Sequence, residues 1–331
     1  VAKITFAAGT SHTPMLLAAD DVLPRFVETD RNMKHRDREG RPVTYGDLLE
    51  NADPRLARMV APEQLVARQN IARAAVQRLQ AAVASAALDA LIVFGDDQNE
   101  SYLEDCRPVF AIYHGDTIRN GNASHTAYTH LPDWYVRNRA GFFEPDQPRD
   151  YPVHASLAAH LIETLAEAEF DIASSKSLRA GEGEGHAMAY VHRHVMRADK
   201  PIPIVPVFLN TYFPPNQPSP RRCYRLGQAV RQAVESFSGD GRIGVLASGG
   251  LSHFLVDEEF DRAIIKALAD KDHALLSSLP RNKLFAGSSE ILNWVALAGA
   301  AEALDLHWSE YVPGYRTPAG TGTGMSFALW A

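Results

Sequence analysis

Cysteine is almost missing from this chain. Cys106 and Cys223 are the two among 331 residues, which excludes a disulfide framework and a CxxC metal knuckle. Any metal site must therefore rest on histidine and carboxylate. Long apolar runs are missing too, since no segment approaches the roughly 18 residues that cross a bilayer. The opening VAKITFAAG lacks the basic-then-apolar layout of a secretory signal, so a cytoplasmic protein is expected. Nor is positive charge in excess: 33 lysines and arginines against 40 aspartates and glutamates give a formal charge of −7. That argues against the clustered basic surface of a nucleic-acid binder. No lysine-bearing phosphate loop occurs, and the glycines of RAGEGEGHA do not follow a strand, so a nucleotide site is not indicated. HExxH is absent, although His186, His192 and His194 share a predicted helix, and so is GxSxG. Zinc-protease and serine-hydrolase chemistry lose their usual signatures.

What is present is an ordinary globular composition, 46% hydrophobic and 22% charged. Short apolar runs at Ile4–Ala8, Leu91–Gly95, Val109–Tyr113, Ile202–Leu209, Ile243–Ala247 and Met325–Trp330 have strand length. Helical patterns lie between them. The clearest begins at Pro62, where Leu65, Ala72, Val76, Leu79 and Val83 form one apolar stripe. Others cover Ala155–Ala168, His186–Arg197, Tyr224–Ser236, Glu258–Ser277 and Ser289–Ala303. Alternating strand and helix predict a single large α/β domain, a central mixed sheet flanked by helices. The polar stretch from about residue 20 to 61 breaks the rhythm and reads as an insertion, either solvated or a lid. A second irregular stretch, Asp116 to Asp150, holds WYVRNRAGFFEPDQP with its four aromatics, and His125 and His130.

Three strand ends concentrate polar chemistry: His12 in GTSHTP, Asp96, Asp97 and Gln98 in FGDDQ, and His253 in SGGLSHF, followed by DEEFD with Glu259. In α/β sheets ligands bind beyond the carboxyl ends of strands, and imidazoles and carboxylates can meet there. Adjacent carboxylates at a buried strand end repel unless a cation, a donor or water accommodates them. The acids of DEEFD also have a plain reading, as first-turn residues favoured by a helix dipole.

Read together, GTSHTP, GDDQ, TYFPPNQPSPRRCYRLG, SGGLSHF, DEEFD, SSEILNW and YRTPAGTGTG resemble, in order and spacing, the type III extradiol ring-cleaving dioxygenases, the family of the protocatechuate 4,5-dioxygenase catalytic subunit. The resemblance implies Fe(II) held by two histidines and a glutamate with open positions for a catechol and dioxygen, the setting of non-haem iron oxygenases. It places His12 and Glu259 as metal ligands. The family's second histidine is missing, and the ungapped match puts Asp97 in its place, with Gln98 as the alternative. His186 falls where the family's acid-base histidine stands, and His253 where a residue would support a polarised intermediate. The single-chain members acting on 3-O-methylgallate and gallate are the most similar, which implies a benzoate carboxylate and a cation to meet it: Arg316, Arg221 or Arg222. The insertion over residues 20–61 would replace the small helical subunit that caps the pocket in protocatechuate enzymes. The expected partners are the catecholic substrate and dioxygen, with neither nucleic acid nor membrane, in a homodimer or higher homo-oligomer. Two other readings stay open: an iron-free partner subunit of the same fold, raised by the missing histidine, and a non-redox hydrolase or lyase using Mn or Zn.

Overall fold

The computed structural model describes residues 1–121, 131–179 and 181–331. Among them, β1 (Lys3–Thr10), β2 (Ala90–Asp96), β3 (Phe110–Tyr113), β4 (Ile172–Ser175), β5 (Ile204–Leu209), β6 (Arg242–Ser248), β7 (His253–Leu255), β8 (Leu306–Tyr315) and β9 (Thr321–Trp330) form one mixed sheet. Its order is β7-β9-β1-β6-β2-β5-β3-β4, with β8 also paired to β9. β1, β6, β2 and β5 run parallel, so their carboxyl ends share one edge. β9 closes antiparallel on β1 and β3 on β5.

Both faces of this sheet are covered, which is why β2 is buried along its whole length and reads as a continuous apolar run rather than an alternating one. On one face Ala90, Ile92 and Phe94 meet helices α3 (Ala155–Glu167), α5 (Pro220–Ser236) and α7 (Ile291–Ala300), introduced here with α1 (Pro62–Ser85), α2 (Asp133–Arg139), α4 (His186–Tyr190) and α6 (Glu258–Ala269). On the other, Leu91 and Val93 pack with Leu79 and Val83 of α1 and Met188 of α4. The α1 stripe is seated as its spacing requires, with Leu65, Ala72, Leu79 and Val83 buried.

Several boundaries differ from the sequence expectation, each for a local reason. The helix expected over Glu258–Ser277 is two: α6 stops, Lys271 takes φ 56°, and Asp272 caps a new turn, His273–Ser277. The one expected over His186–Arg197 is α-helical for five residues and then widens into a π-turn, Val191–Val195. α7 is led by a 3₁₀ turn, Ala286–Glu290, and this places Glu290 at the helix entrance. β8, rich in polar and half-buried residues, carries no apolar run to announce it. The insertion is not merely solvated: Leu23 and Phe26 are fully buried against Met15, Leu65 and Trp134. No described helix is long and apolar enough to cross a membrane.

α5 and α7 touch backbone to backbone through two glycines. A methyl on Gly227 would collide with the Ala296 carbonyl oxygen, and one on Gly299 with that of Tyr224. Because Glu290 stands directly before α7, this contact also fixes where Glu290 arrives. Gly227→Ala is expected to cost about 1–3 kcal/mol through overpacking, read as a lower denaturant midpoint.

Candidate metal centre

The shared carboxyl edge of β1, β2 and β6 delivers the first parts of the site. His12 lies two residues beyond β1 in the GTSHTP turn, Asp96 is the last residue of β2, and Ser248 the last of β6. His186 opens α4 and Glu290 closes the 3₁₀ turn before α7. One ligand atom each from His12, Asp96, His186 and Glu290 lies within 4.8 Å of the others, and all four residues are buried.

Neighbouring hydrogen bonds set the chemical form of each donor. Ser248 Oγ donates to the Ala187 carbonyl at 2.8 Å, so it accepts from His12 Nδ1 at 2.9 Å. His12 is thereby held as the Nδ1–H tautomer. Its Nε2 lone pair, buried and without a hydrogen-bond partner among the described residues, stands 3.4 Å from Glu290 Oε2. Burial, with the charge of His186 adding to it, pushes the His12 imidazole down to about 3, so the ring is neutral and ready to ligate.

His186 is oriented by Glu100. Its backbone N–H donates to both carboxylate oxygens at 3.1 Å, and its Nδ1 to Oε2 at 2.7 Å. The opposite side of the ring is left toward His12, with centroids 4.6 Å apart. A carboxylate behind a histidine fixes its tautomer and raises its basicity. Burial works against charge on His186, but Glu100, by charge and hydrogen bond, and Asp96 outweigh it and leave the imidazole above its usual range.

Burial and then the charge of Glu290 push the Asp96 carboxyl above the usual carboxylate range. Asp96 Oδ2 accepts from Gln98 Nε2 at 3.0 Å, and the same nitrogen lies 3.4 Å from Glu290 Oε1. Asp96 Oδ1 is buried with no partner among the described residues. Glu290 Oε2 accepts from the Gly250 N–H at 2.7 Å. Two imidazoles and two carboxylates, with orphaned Nε2 and Oδ1 atoms, are a fitting donor set for a divalent transition metal.

Of the other residues expected at the site, Gln98, His253 and Arg316 lie beside the group, and Asp97, Glu259, Arg221 and Arg222 do not join it. Asp97 follows Asp96 and is directed elsewhere, accepting from the backbone N–H groups of Glu100, Ser101 and Tyr102 at 3.2, 2.7 and 3.2 Å. It shapes the turn carrying Glu100 and Gln98. Burial, with Glu100 nearby, pushes its carboxyl up to about 6. Gln98 reaches the group through its amide nitrogen, a donor, and so is no ligand in this geometry. Glu259 is exposed in the first turn of α6 and lines a separate, wide groove of about 1380 Å³. Two helical residues span about 200°, so α6 turns Asp261 inward, where it holds Ser252 N and Oγ at 2.9 and 2.7 Å, and sends Glu259 outward. The second carboxylate grouped with His12, Asp96 and His186 is that of Glu290. It lies within SSEILNW, but nothing in that segment marks it as a ligand.

His253 donates Nδ1–H to the Leu251 carbonyl at 2.8 Å and brings Nε2 to 3.9 Å from Glu290 Oε2. Its ring is cradled between Gly250 and Gly287, where side chains would collide with it. Arg221 is exposed and Arg222 pairs with Asp171, neither lining the site cavity. Arg316 does line it, a space of about 390 Å³ that reaches His12, His186, His253 and Glu290. Tyr135 and Arg139 of α2 and Thr29 and Met33 of the insertion form other parts of the wall. Phe142 meets His186 edge-on at 5.8 Å. His125 and His130 lie outside the described residues.

At the carboxyl edge of a mixed α/β sheet, this chain thus buries two histidines and two carboxylates that could hold a metal ion. The family model described as the catalytic LigB subunit of aromatic ring-opening dioxygenase matches residues 54–325, and the chain belongs to that family. It is 29% identical over 187 residues to gallate dioxygenase of Pseudomonas putida, covering 51% of this chain and 54% of that protein. It is 30% identical over 184 residues to 2,3-dihydroxyphenylpropionate/2,3-dihydroxicinnamic acid 1,2-dioxygenase of Cupriavidus necator, covering 54% of this chain and 50% of that protein. The chain thus spans about half the length of these curated relatives.

The geometry separates four carboxylates by consequence. Asp96→Ala and Glu290→Ala are each expected to weaken metal binding by about 10-fold or more, measured by titration of the metal-free protein with Fe(II) or Mn(II). Asp97→Ala and Glu259→Ala should bind metal nearly as the parent does, Asp97→Ala with a lower melting temperature. Metal loss in Glu259→Ala alone would refute this arrangement.

Proposed function

We propose that this protein is a non-haem Fe(II)-dependent extradiol dioxygenase that opens a catecholic aromatic acid of the gallate, 3-O-methylgallate or protocatechuate kind with dioxygen. The observation that carries the reading is the buried group of His12, Asp96, His186 and Glu290, of which His12, His186 and Glu290 line a cavity whose volume of about 390 Å³ suits one substituted ring. Membership of the ring-opening family supports the same chemistry.

Iron bound there would supply positions for both ring oxygens and dioxygen and a path for electrons between them. His12, Asp96 and Glu290 are the ligands in this reading, and His186 carries protons. Glu100 binds Nδ1, and the basicity it lends the ring suits Nε2 to take a proton from a ring hydroxyl and return it after cleavage. His253, held by its own carbonyl contact, is a neutral acceptor beside Glu290. Tyr135, Phe213 and Phe254 lend the cavity flat walls, which orient a ring and exclude water from it. The insertion contributes Thr29 and Met33 to that enclosure and serves as its lid.

The carboxylate pair Asp96 and Glu290 is the feature that favours a second reading, a Mn- or Zn-loaded hydrolase or lyase, which consumes no dioxygen. Anaerobic purification with metal analysis, then oxygen-electrode assays on catechol, protocatechuate, gallate and 3-O-methylgallate, distinguishes the two. Bound iron and oxygen uptake with at least one of them are expected; iron with no uptake on any would sink the dioxygenase reading. His186→Ala should lower turnover by about 10²–10⁴ while iron content holds. Parallel loss of iron would make His186 a ligand.

A further inference from the structure

Arg316 lies in the turn between β8 and β9 and lines the cavity of the metal group while only 4% exposed. Its Nε donates to Asp30 Oδ2 at 2.8 Å. Asp30 is itself fully buried and accepts from Thr321 Oγ1 at 2.5 Å. The Phe26 ring centroid lies 5.2 Å from the guanidinium carbon. A guanidinium has five N–H donors in a rigid fork, and this arrangement uses the one on Nε. The two terminal nitrogens have no hydrogen-bond partner among the described residues.

A pinned, buried guanidinium with unspent donors at a cavity wall is a receptor for a planar oxyanion. Its surroundings narrow the anion. Asp30 already offsets much of the positive charge, and Glu290 and Asp96 belong to the same site, so a monoanion is favoured over a doubly charged phosphate. Arg139, the other guanidinium on the cavity, faces Glu100 at 3.9 Å. We propose that Arg316 is the specificity-determining residue that receives a carboxylate of the aromatic substrate end-on through its two terminal nitrogens, in a plane fixed by Asp30. The inference rests on the ring-opening reading for the rest of the substrate. It also gives the insertion a part in selection, because Asp30 comes from the segment whose Thr29 and Met33 line the same cavity.

The test is titration calorimetry under anaerobic conditions, with protocatechuate and catechol on the metal-loaded protein and 4-hydroxybenzoate on the metal-free protein. The parent should prefer protocatechuate over catechol by about 10-fold or more, the scale of a charged hydrogen-bonded contact. Arg316→Gln should reduce that preference to about twofold with catechol affinity little changed, and Arg316→Lys should retain part of it. Since Arg316→Gln alone leaves Asp30 buried and unpaired, the neutral double variant Arg316→Gln with Asp30→Asn guards against misfolding and should show the same loss. Equal weakening of protocatechuate and catechol, or no preference in the parent, overturns the proposal. 4-Hydroxybenzoate has the carboxylate but no vicinal diol, so it reports on Arg316 apart from ring cleavage. If its affinity falls about 10-fold in Arg316→Gln while no catechol is oxidised, the carboxylate site stands and the dioxygenase reading falls; no change in its affinity removes the site whatever the oxygen uptake.

Discussion

Four ligand-type side chains are buried within 4.8 Å of one another, and the architecture around them answers to the cost of that burial. Isolated, two carboxylates so close would repel and two imidazoles would lose their solvation. Each is instead held by a donor or acceptor from a different element: Ser248 for His12, Glu100 for His186, Gln98 for Asp96, and the Gly250 amide for Glu290. Parallel strands supply the common edge at which these elements meet. The glycine contact between α5 and α7 brings in Glu290. Donors left over point inward, where a divalent cation would offset both negative charges at once.

Much of this was legible in the sequence because strand ends are local features. An apolar run followed at once by polar residues marks a carboxyl edge, and His12, Asp96 and the Gly249–Gly250 turn were readable in that way. Which of two neighbouring acids points inward was not. Asp96 and Asp97 are distinguished by the alternation of the strand end and by three backbone amides that only the folded turn presents to Asp97. Glu259 and Glu290 are distinguished by helix phase and by a 3₁₀ turn, neither of which leaves a compositional trace. The match of DEEFD to a family motif placed a metal ligand at Glu259, whereas on that helix Asp261 rather than Glu259 faces inward.

The surroundings of the cavity follow the same division. A polar insertion looks solvated in sequence, since Leu23 and Phe26 are too sparse to form a stripe, yet they pack with Trp134 from the second irregular stretch and close a small core of their own. Long-range pairs such as Asp30 with Arg316, 286 positions apart, cannot be read from either segment alone. They form because β8 and β9 return the chain to the side of β1.

The hydroxyl of Ser248 has a further consequence. It passes a hydrogen bond from the His12 ring to the Ala187 carbonyl, one residue beyond His186 in the first turn of α4. The choice of which nitrogen His12 offers is thereby recorded in the main chain of α4. Were that first turn to rewind, the serine would lose its acceptor and be free to reverse the bond. His12 would then exchange a lone pair for a proton on the side facing Glu290. The tautomer of one histidine is in this sense tied to the backbone of the helix that begins with the other.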